Sequence, residues 1–281
     1  MTEAVSDQVW FITGAGSGFG LALSRAVLAR GGRVAAAVRS VEDPVVVALR
    51  EAGQERVCFP QLDVTRPEEV RRGVDQAVAQ FGGLDVVVNS AGRGSFGSLE
   101  ETPDTEVRDL FEVNVFGSLN VIRAVLPILR KQHRGHLVQF SSLAGIAPAA
   151  PGLASYAATK FAVEGFAEVL SQEVAHLGIG VTIVEPGDFG TGFGGALHVT
   201  PPALPDYADS VGRAAQAFAS MDPALLGHPD KAAAAIIDAV TSGSPPLRLA
   251  LGDDAVDAIK TKLSNHLSEA RTWEGVGRGM H

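Results

Sequence analysis

The chain has 281 residues, 46% of them apolar and 6% aromatic, and a formal net charge of −9 at pH 7. That length suits one α/β domain with a modest C-terminal extension, and the acidic balance without any Lys/Arg run excludes a nucleic-acid surface. A single cysteine, Cys58, excludes an internal disulfide and a cysteine metal cluster.

No apolar stretch reaches the ~18 residues of a membrane span. Glu3 and Asp7 stand where a signal peptide would be basic. A soluble cytoplasmic protein is expected, with no membrane partner.

Short β-branched runs alternate with helical patterns along the chain. Residues 9–12 read as a first strand, followed by a glycine turn and a helix through about residue 31. Strands are predicted at 33–38, 56–62, 84–88, 136–140, 181–184 and 247–251. Thr65-Arg66-Pro67-Glu68 reads as a capping box, with Thr65 as cap and Glu68 at the third helical position. Strand–helix alternation predicts right-handed crossovers and a parallel sheet of about seven strands covered on both faces. Ligands then bind outside the carboxyl ends of the strands.

The rhythm breaks at about 188–228, where Gly190, Gly192, Gly194, Gly195, Pro201, Pro202 and Pro205 precede a short helical pattern near 208–221. This segment reads as a substrate lid; a disordered surface loop is the alternative. The tail from about 253 reads as helical, with residues 275–281 frayed. The whole chain, 1–281, is expected to be one domain.

The glycine turn runs Thr13-Gly14-Ala15-Gly16-Ser17-Gly18-Phe19-Gly20. Missing Cβ atoms at Gly14, Gly18 and Gly20 let the backbone turn sharply and approach a pyrophosphate, which the following helix N-terminus attracts. After the second strand, Val38 stands where an NAD site would offer an acid to the ribose. Arg39 and Ser40 follow instead, and a guanidinium there suits a 2′-phosphate. NADP(H) is therefore expected over NAD(H).

Further along, Tyr156 and Lys160 lie four residues apart and share a helix face. A phenol ionises near pH ~10, and an adjacent cation is expected to move that value toward neutrality. Such a tyrosine both gives and takes protons. The histidines form no ligand-like cluster, so no metal is expected.

Together these residues resemble the short-chain dehydrogenase/reductases over roughly 8 to 195. The likeness rests on Thr13 to Gly20, Asp63-Val64, Asn89-Ser90-Ala91-Gly92, Asn114, Ser142, Tyr156/Lys160, and Pro186-Gly187 with Thr191, all in order. It implies a Rossmann-type doubly wound sheet and hydride transfer between a nicotinamide cofactor and a carbonyl or secondary alcohol. Asp63 would bond the adenine amino group and Val64 lie against its ring. Asn89 would brace the central strand, with Ala91 and Gly92 along the cofactor channel. Asn114 would hold a water in a relay with Lys160. Ser142 would position the carbonyl, Tyr156 would be the acid or base, and Lys160 would also hold the nicotinamide ribose. Pro186, Gly187 and Thr191 would meet the nicotinamide end.

The chain departs from the family pattern at three points. Ser90 replaces a common second Asn, Ser142 and Tyr156 stand one residue further apart than usual, and Gly190 and Gly192 loosen the lid. Ser142 is chosen over Ser141 because Gly145 follows it at the family's usual offset.

Phe96, Leu143, Leu153, Phe189, Phe193, Leu197 and His198 are candidates for an apolar substrate pocket. No Gly-x-Ser-x-Gly elbow supports a hydrolase. A non-catalytic NADP-binding sensor or scaffold on the same fold is the rival reading. The resemblance also implies a homodimer or homotetramer, packed through the apolar faces of 113–129 and 161–174; ordinary core packing is the alternative.

Overall fold

The computed structural model describes residues 5–148 and 150–280. Glu3, His281 at the end of the expected tail, and Ala149 in the loop after Ser142 lie outside the described residues. In chain order the first elements are β1 (Val9–Thr13), α1 (Gly18–Ala29), β2 (Arg33–Ala37), α2 (Pro44–Gly53), β3 (Val57–Cys58) and α3 (Pro67–Phe81). Next come β4 (Val86–Asn89), β5 (Ser95–Phe96), α4 (Asp104–Phe111), α5 (Ser118–Gln132), β6 (Gly135–Phe140), α6 (Ala154–Val174) and β7 (Ile179–Pro186). The last are β8 (His198–Val199), α7 (Arg213–Ala219), α8 (Pro229–Val240), β9 (Arg248–Leu251), α9 (Asp253–Thr272) and α10 (Glu274–Arg278).

Seven strands form one parallel sheet in the order β3-β2-β1-β4-β6-β7-β9. β1 pairs with β2 on one side and β4 on the other, so the two halves of the chain wind outward from that seam. This is the doubly wound, Rossmann-type arrangement. Strand side chains alternate between faces. Trp10 and Ile12 therefore pack with Leu23, Val27 and Ile236 from α1 and α8, while Val9 and Phe11 pack with Val74, Val125 and Ala167 from α3, α5 and α6. Burial on both faces explains why β1 and β4 are apolar at nearly every position.

Several local expectations change. The third strand is only two residues long, followed by an isolated bridge from Val38 to Gln61, because Pro60 interrupts the run. The capping box does not form. Arg66 holds the cap position of α3 without a side-chain bond; Thr65 instead donates its hydroxyl to Asp63 at 2.8 Å, and Glu69 accepts the Asp63 N–H at 2.9 Å. Pro67 moves the helix start one residue on, so Glu69 takes the place predicted for Glu68.

The helical run Asp104–Gln132 is long and apolar enough to cross a membrane, with a mean hydropathy of 1.3, contrary to the sequence reading. Part of that apolar content packs inside the protein, where Val121, Val125 and Leu129 are fully buried against the sheet. Within the stretch 275–281, expected to fray, residues up to Arg278 belong to a further helical turn that starts at Glu274.

His136 on β6 carries a pH-dependent share of stability. Its Nε2 lies 2.9 Å from the Thr182 hydroxyl, which directs its own hydrogen to Pro246 O at 2.6 Å. Nε2 is therefore the protonated nitrogen and donates. Burial pushes the imidazole down from its ordinary 6.5 to about 4. Because the unfolded chain takes up that proton first, the contribution present above pH 6.5 is lost as pH falls toward 4. Between pH 7 and 4.5 the wild type should lose about 2–3 kcal/mol more than His136→Gln, read from urea midpoints. Equal acid sensitivity in the two proteins would contradict the assignment.

Candidate active site

The seam between β1 and β4 is stitched by one hydroxyl. Thr13 donates to Val88 O at 3.3 Å and accepts the N–H groups of Ser90 and Ala91, both at 3.2 Å. Ser90 returns a bond to Thr13 O at 2.8 Å, so the serine in place of the family's second Asn acts as a further stitch. Gly14 then turns with φ of +67°, and a Cβ there would stand 3.0 Å from Ala91 Cα. Only glycine meets both demands.

Ser17 begins α1 without a side-chain cap, and no acidic residue occupies the first turn. That helix end is open to an anion. Ser17 is exposed, while Gly18 faces Thr191 with 3.3 Å between its would-be Cβ and the threonine Cβ. Phe19 turns inward, its ring 5.2 Å from Phe140 and 5.1 Å from Phe189.

The remaining predicted cofactor residues line the same edge of the sheet. Val38 is buried, and Arg39 and Ser40 are exposed just beyond β2. Asp63 is half-buried, with one carboxylate oxygen held by the backbone and hydroxyl of Thr65. Val64 packs on Gly117. Asn89 donates to Gln139 Oε1 at 3.0 Å and to Ser118 O at 3.3 Å, bracing β4 against β6 and α5. Gly92 lies beside Asn114 Oδ1. Pro186 closes β7 opposite Leu251.

A π-helical turn, Glu112–Gly117, joins α4 to α5 and presents Asn114. Asn114 accepts the Arg93 N–H and donates to Arg93 O, both at 2.9 Å, with a further bond to Thr159 at 3.1 Å. Both amide hydrogens are thus committed, leaving the second lone pair of Oδ1 for any water. Ser118 donates to the Asn114 carbonyl at 2.9 Å.

Tyr156 and Lys160 point from the first turns of α6 into one buried space, 8% and 7% exposed. The Lys160 Nζ lies 5.6 Å from the centre of the Tyr156 ring and donates to Phe140 O at 3.0 Å. Ser142, rather than Ser141, lies beside the phenol and pulls it down, while its hydroxyl accepts the Ala144 N–H at 3.2 Å; Ser141 lies toward Glu164.

The electrostatics differ from the sequence expectation. Burial pushes the phenol up to about 12, against a smaller downward pull from Ser142. Burial also brings Lys160 down to about 8, with Glu164 opposing. The ammonium sits over the ring face and is engaged with a carbonyl, so it does not lower the phenol as sequence spacing suggested.

Residues of the 188–228 segment contribute to that burial. Phe193 lays its ring 5.6 Å from that of Tyr156, and Phe96 stacks on Phe218 at 6.3 Å. Gly94 adjoins Phe193 and Leu197. Leu153 packs beside Tyr156, Leu143 is half-buried, and Phe189 lies against Phe19 and Gly227 rather than with the other pocket candidates.

The 188–228 segment is also tied down. β8 pairs with β5 in parallel, Ser95 opposite His198. Glu101 accepts the N–H groups of Ala203 and Leu204 at 2.6 and 2.8 Å, and Tyr207 donates to Glu100 at 2.6 Å. His198 stands 3.8 Å from Glu106, which holds Arg93 at 2.8 Å. Thr13, Ser118, Gln139 and Thr159 had no assigned role in the sequence; strand register brings Thr13 and Gln139 to the site, and the packing of α5 and α6 brings Ser118 and Thr159.

An open helix end on one side of the switch point and a proton-bearing pair on the other define a dinucleotide-dependent oxidoreductase. The residues fit such a cofactor, because the α1 N-terminus is uncapped and uncharged where a pyrophosphate would lie.

A short chain dehydrogenase family model matches residues 8–200. A short-chain dehydrogenase from Streptomyces avermitilis is 42% identical with a TM-score of 0.89, covering 98% of this chain and 99% of that one. The 3-ketodihydrosphingosine reductase of Bacteroides thetaiotaomicron is 36% identical over 250 residues, 88% of this chain and 89% of the relative. An alcohol dehydrogenase from Thermococcus sibiricus, solved with 5-hydroxy-NADP, is 27% identical with a TM-score of 0.71, covering 87% of this chain and 95% of that one. The chain belongs to the short-chain dehydrogenase/reductases and is an NAD(P)-dependent oxidoreductase.

Gly187 has a structural reason of its own. Asp254, in the first turn of α9, accepts the Asp188 N–H at 2.8 Å, and its carboxylate fills the place of a Gly187 side chain. Gly187→Ala should displace that carboxylate and cost about 1–3 kcal/mol in thermal unfolding. In an Asp254→Ala background the same change should cost little, so the two losses will not add. Additive losses would show that the contact is not what excludes the methyl group.

Proposed function

We propose that the protein reduces the carbonyl of a hydrophobic small molecule to a secondary alcohol, with NADP(H) as preferred cofactor and Tyr156 as the general acid. The observation that carries the reading is the Ser142–Tyr156–Lys160 group, buried beneath the lid beside the open end of α1. The nicotinamide cofactor, when bound, supplies the hydride. Tyr156 gives its proton to the carbonyl oxygen, and the Ser142 hydroxyl meets the charge developing there. Lys160 then faces the phenolate; its ammonium is present below about pH 8 and lost above it.

A phenol pushed up to about 12 is protonated at neutral pH, the form that carbonyl reduction needs. Asn114, Asp63, Val64, Asn89, Ala91, Gly92, Pro186, Gly187 and Thr191 keep the roles that the family pattern implies.

The apolar lid contacts of Phe96, Phe193, Leu197 and Phe218 support a hydrophobic substrate. The Bacteroides relative is named a 3-ketodihydrosphingosine reductase, which accords with reduction of a keto group. Exposed Phe116, Phe161 and Val169 on the helical face away from the sheet support a homodimer or homotetramer. A lone unpaired thiol, Cys58, accords with a cytoplasmic setting.

Tyr156→Phe should lower carbonyl reduction by ~10²–10⁴-fold while leaving cofactor affinity within about threefold, read by nicotinamide fluorescence. Undiminished turnover would remove Tyr156 from the chemistry and restore the sensor reading as the stronger one.

Cofactor choice rests on Arg39, exposed beyond β2 where no acid takes the ribose position. Arg39→Ala should weaken NADPH by ~10–100-fold, the worth of one charge-assisted contact to a phosphate, and leave NADH nearly unchanged. Tighter binding of NADH than NADPH by the wild type would overturn the preference.

A further inference from the structure

Behind the site, three carboxylates converge on one guanidinium. Glu164 on α6, one turn beyond Lys160, is 5% exposed, and Glu185, near the end of β7, is 2% exposed. Arg248, at the start of β9, sets its Nε 3.3 Å from an oxygen of each. A terminal nitrogen of the same guanidinium reaches Glu168 at 2.7 Å.

Nε carries a single hydrogen and cannot satisfy two buried carboxylates at once. Glu185 Oε1 is buried and accepts no hydrogen bond. With every group ionised, Glu164, Glu168 and Glu185 against Arg248 and Lys160 leave one negative charge in excess. A proton kept on one of Glu164 and Glu185 removes that excess, since like charges around one site oppose each other's ionisation.

We propose that Glu164 and Glu185, bridged by Arg248, form a coupled carboxyl pair that retains one proton and sets the charge of Lys160 from behind the active site. Both act as positioning residues. The inference rests on the reading of Tyr156 and Lys160 as the working pair, and it adds what governs the lysine.

The groups facing the pair come from four elements. α6 supplies Lys160 and Glu168, the end of β6 supplies the Ser141 hydroxyl, β7 supplies Glu185 itself, and β9 supplies Arg248. Burial raises both carboxyls, Glu185 to about 7, and the charge of Glu164 adds to that rise. Arg248 pulls both down, by less.

Below the titration of the pair, one negative charge faces Lys160; above it there are two. The second charge arrives in the pH range where burial alone would strip Lys160 of its proton, and Glu164 pulls the lysine upward. The pair thereby extends the range over which the ammonium survives.

The chain has five lysines, so the Cε signal of Lys160 in ¹³C-lysine-labelled protein can be assigned by its loss in Lys160→Met. Titrated without cofactor or substrate, Glu164→Gln should move the Lys160 midpoint down by about one pH unit, a tenfold change in proton affinity. Glu185→Gln should move it down by less than half as much, and Glu164→Asp should stay within a few tenths of the wild type.

In ¹³C-glutamate-labelled wild type, a carboxyl signal of this pair should titrate above pH 6. An unmoved Lys160 midpoint in Glu164→Gln, or a pair titrating wholly near pH 4.5, overturns the proposal. Because these readouts need no turnover, they separate this inference from the hydride-transfer reading. An inactive wild type with a shifted midpoint would count against the reaction alone.

Discussion

The site depends on a constraint at the seam of the sheet. β1 and β4 lie side by side, yet the chain leaves them in opposite directions, one loop climbing into α1 and the other crossing toward Asn114. Two diverging loops would expose unpaired backbone groups at their parting. The Thr13 hydroxyl meets that need by holding a β4 carbonyl and two loop N–H groups at once. With the loops pinned, Gly14 can pass within contact of Ala91, and the α1 N-terminus opens at the mouth of the crevice rather than beneath it. A second chain of bonds, from Asn89 through Gln139 and Ser118 to the Asn114 carbonyl, carries the same order across to the π-helical turn.

The alternation of strands and helices and the parallel sheet were legible in the residues, because burial on both faces writes apolar runs too plain to mistake. Local caps and edges were less so. Pro60 cut β3 short and Pro67 displaced the start of α3, effects of single residues on a pattern that looked continuous. The offset to Gly145 singled out Ser142 in the sequence, and in the fold Ser142 lies beside the phenol while Ser141 lies toward Glu164.

The electrostatics were not readable. Spacing places Lys160 near Tyr156 but says nothing of which atom the ammonium engages. Burial of the phenol, to which the Phe193 ring contributes, reverses the direction of the expected shift, while Lys160 is engaged with Phe140 O. Partners distant in sequence, such as Arg248 for Glu164, become visible only when β7 and β9 pair.

The two-residue ladder between β5 and β8 has an engineering consequence. Its seat lies in the stretch just after β4, about a hundred residues upstream of the segment it anchors, and Glu100 and Glu101 extend the same attachment. Segment and seat are therefore one module split across the gene. Chimeras that exchange residues 188–228 with a homologue must carry 93–101 along with them, or the transplanted piece will lie on a socket cut for another.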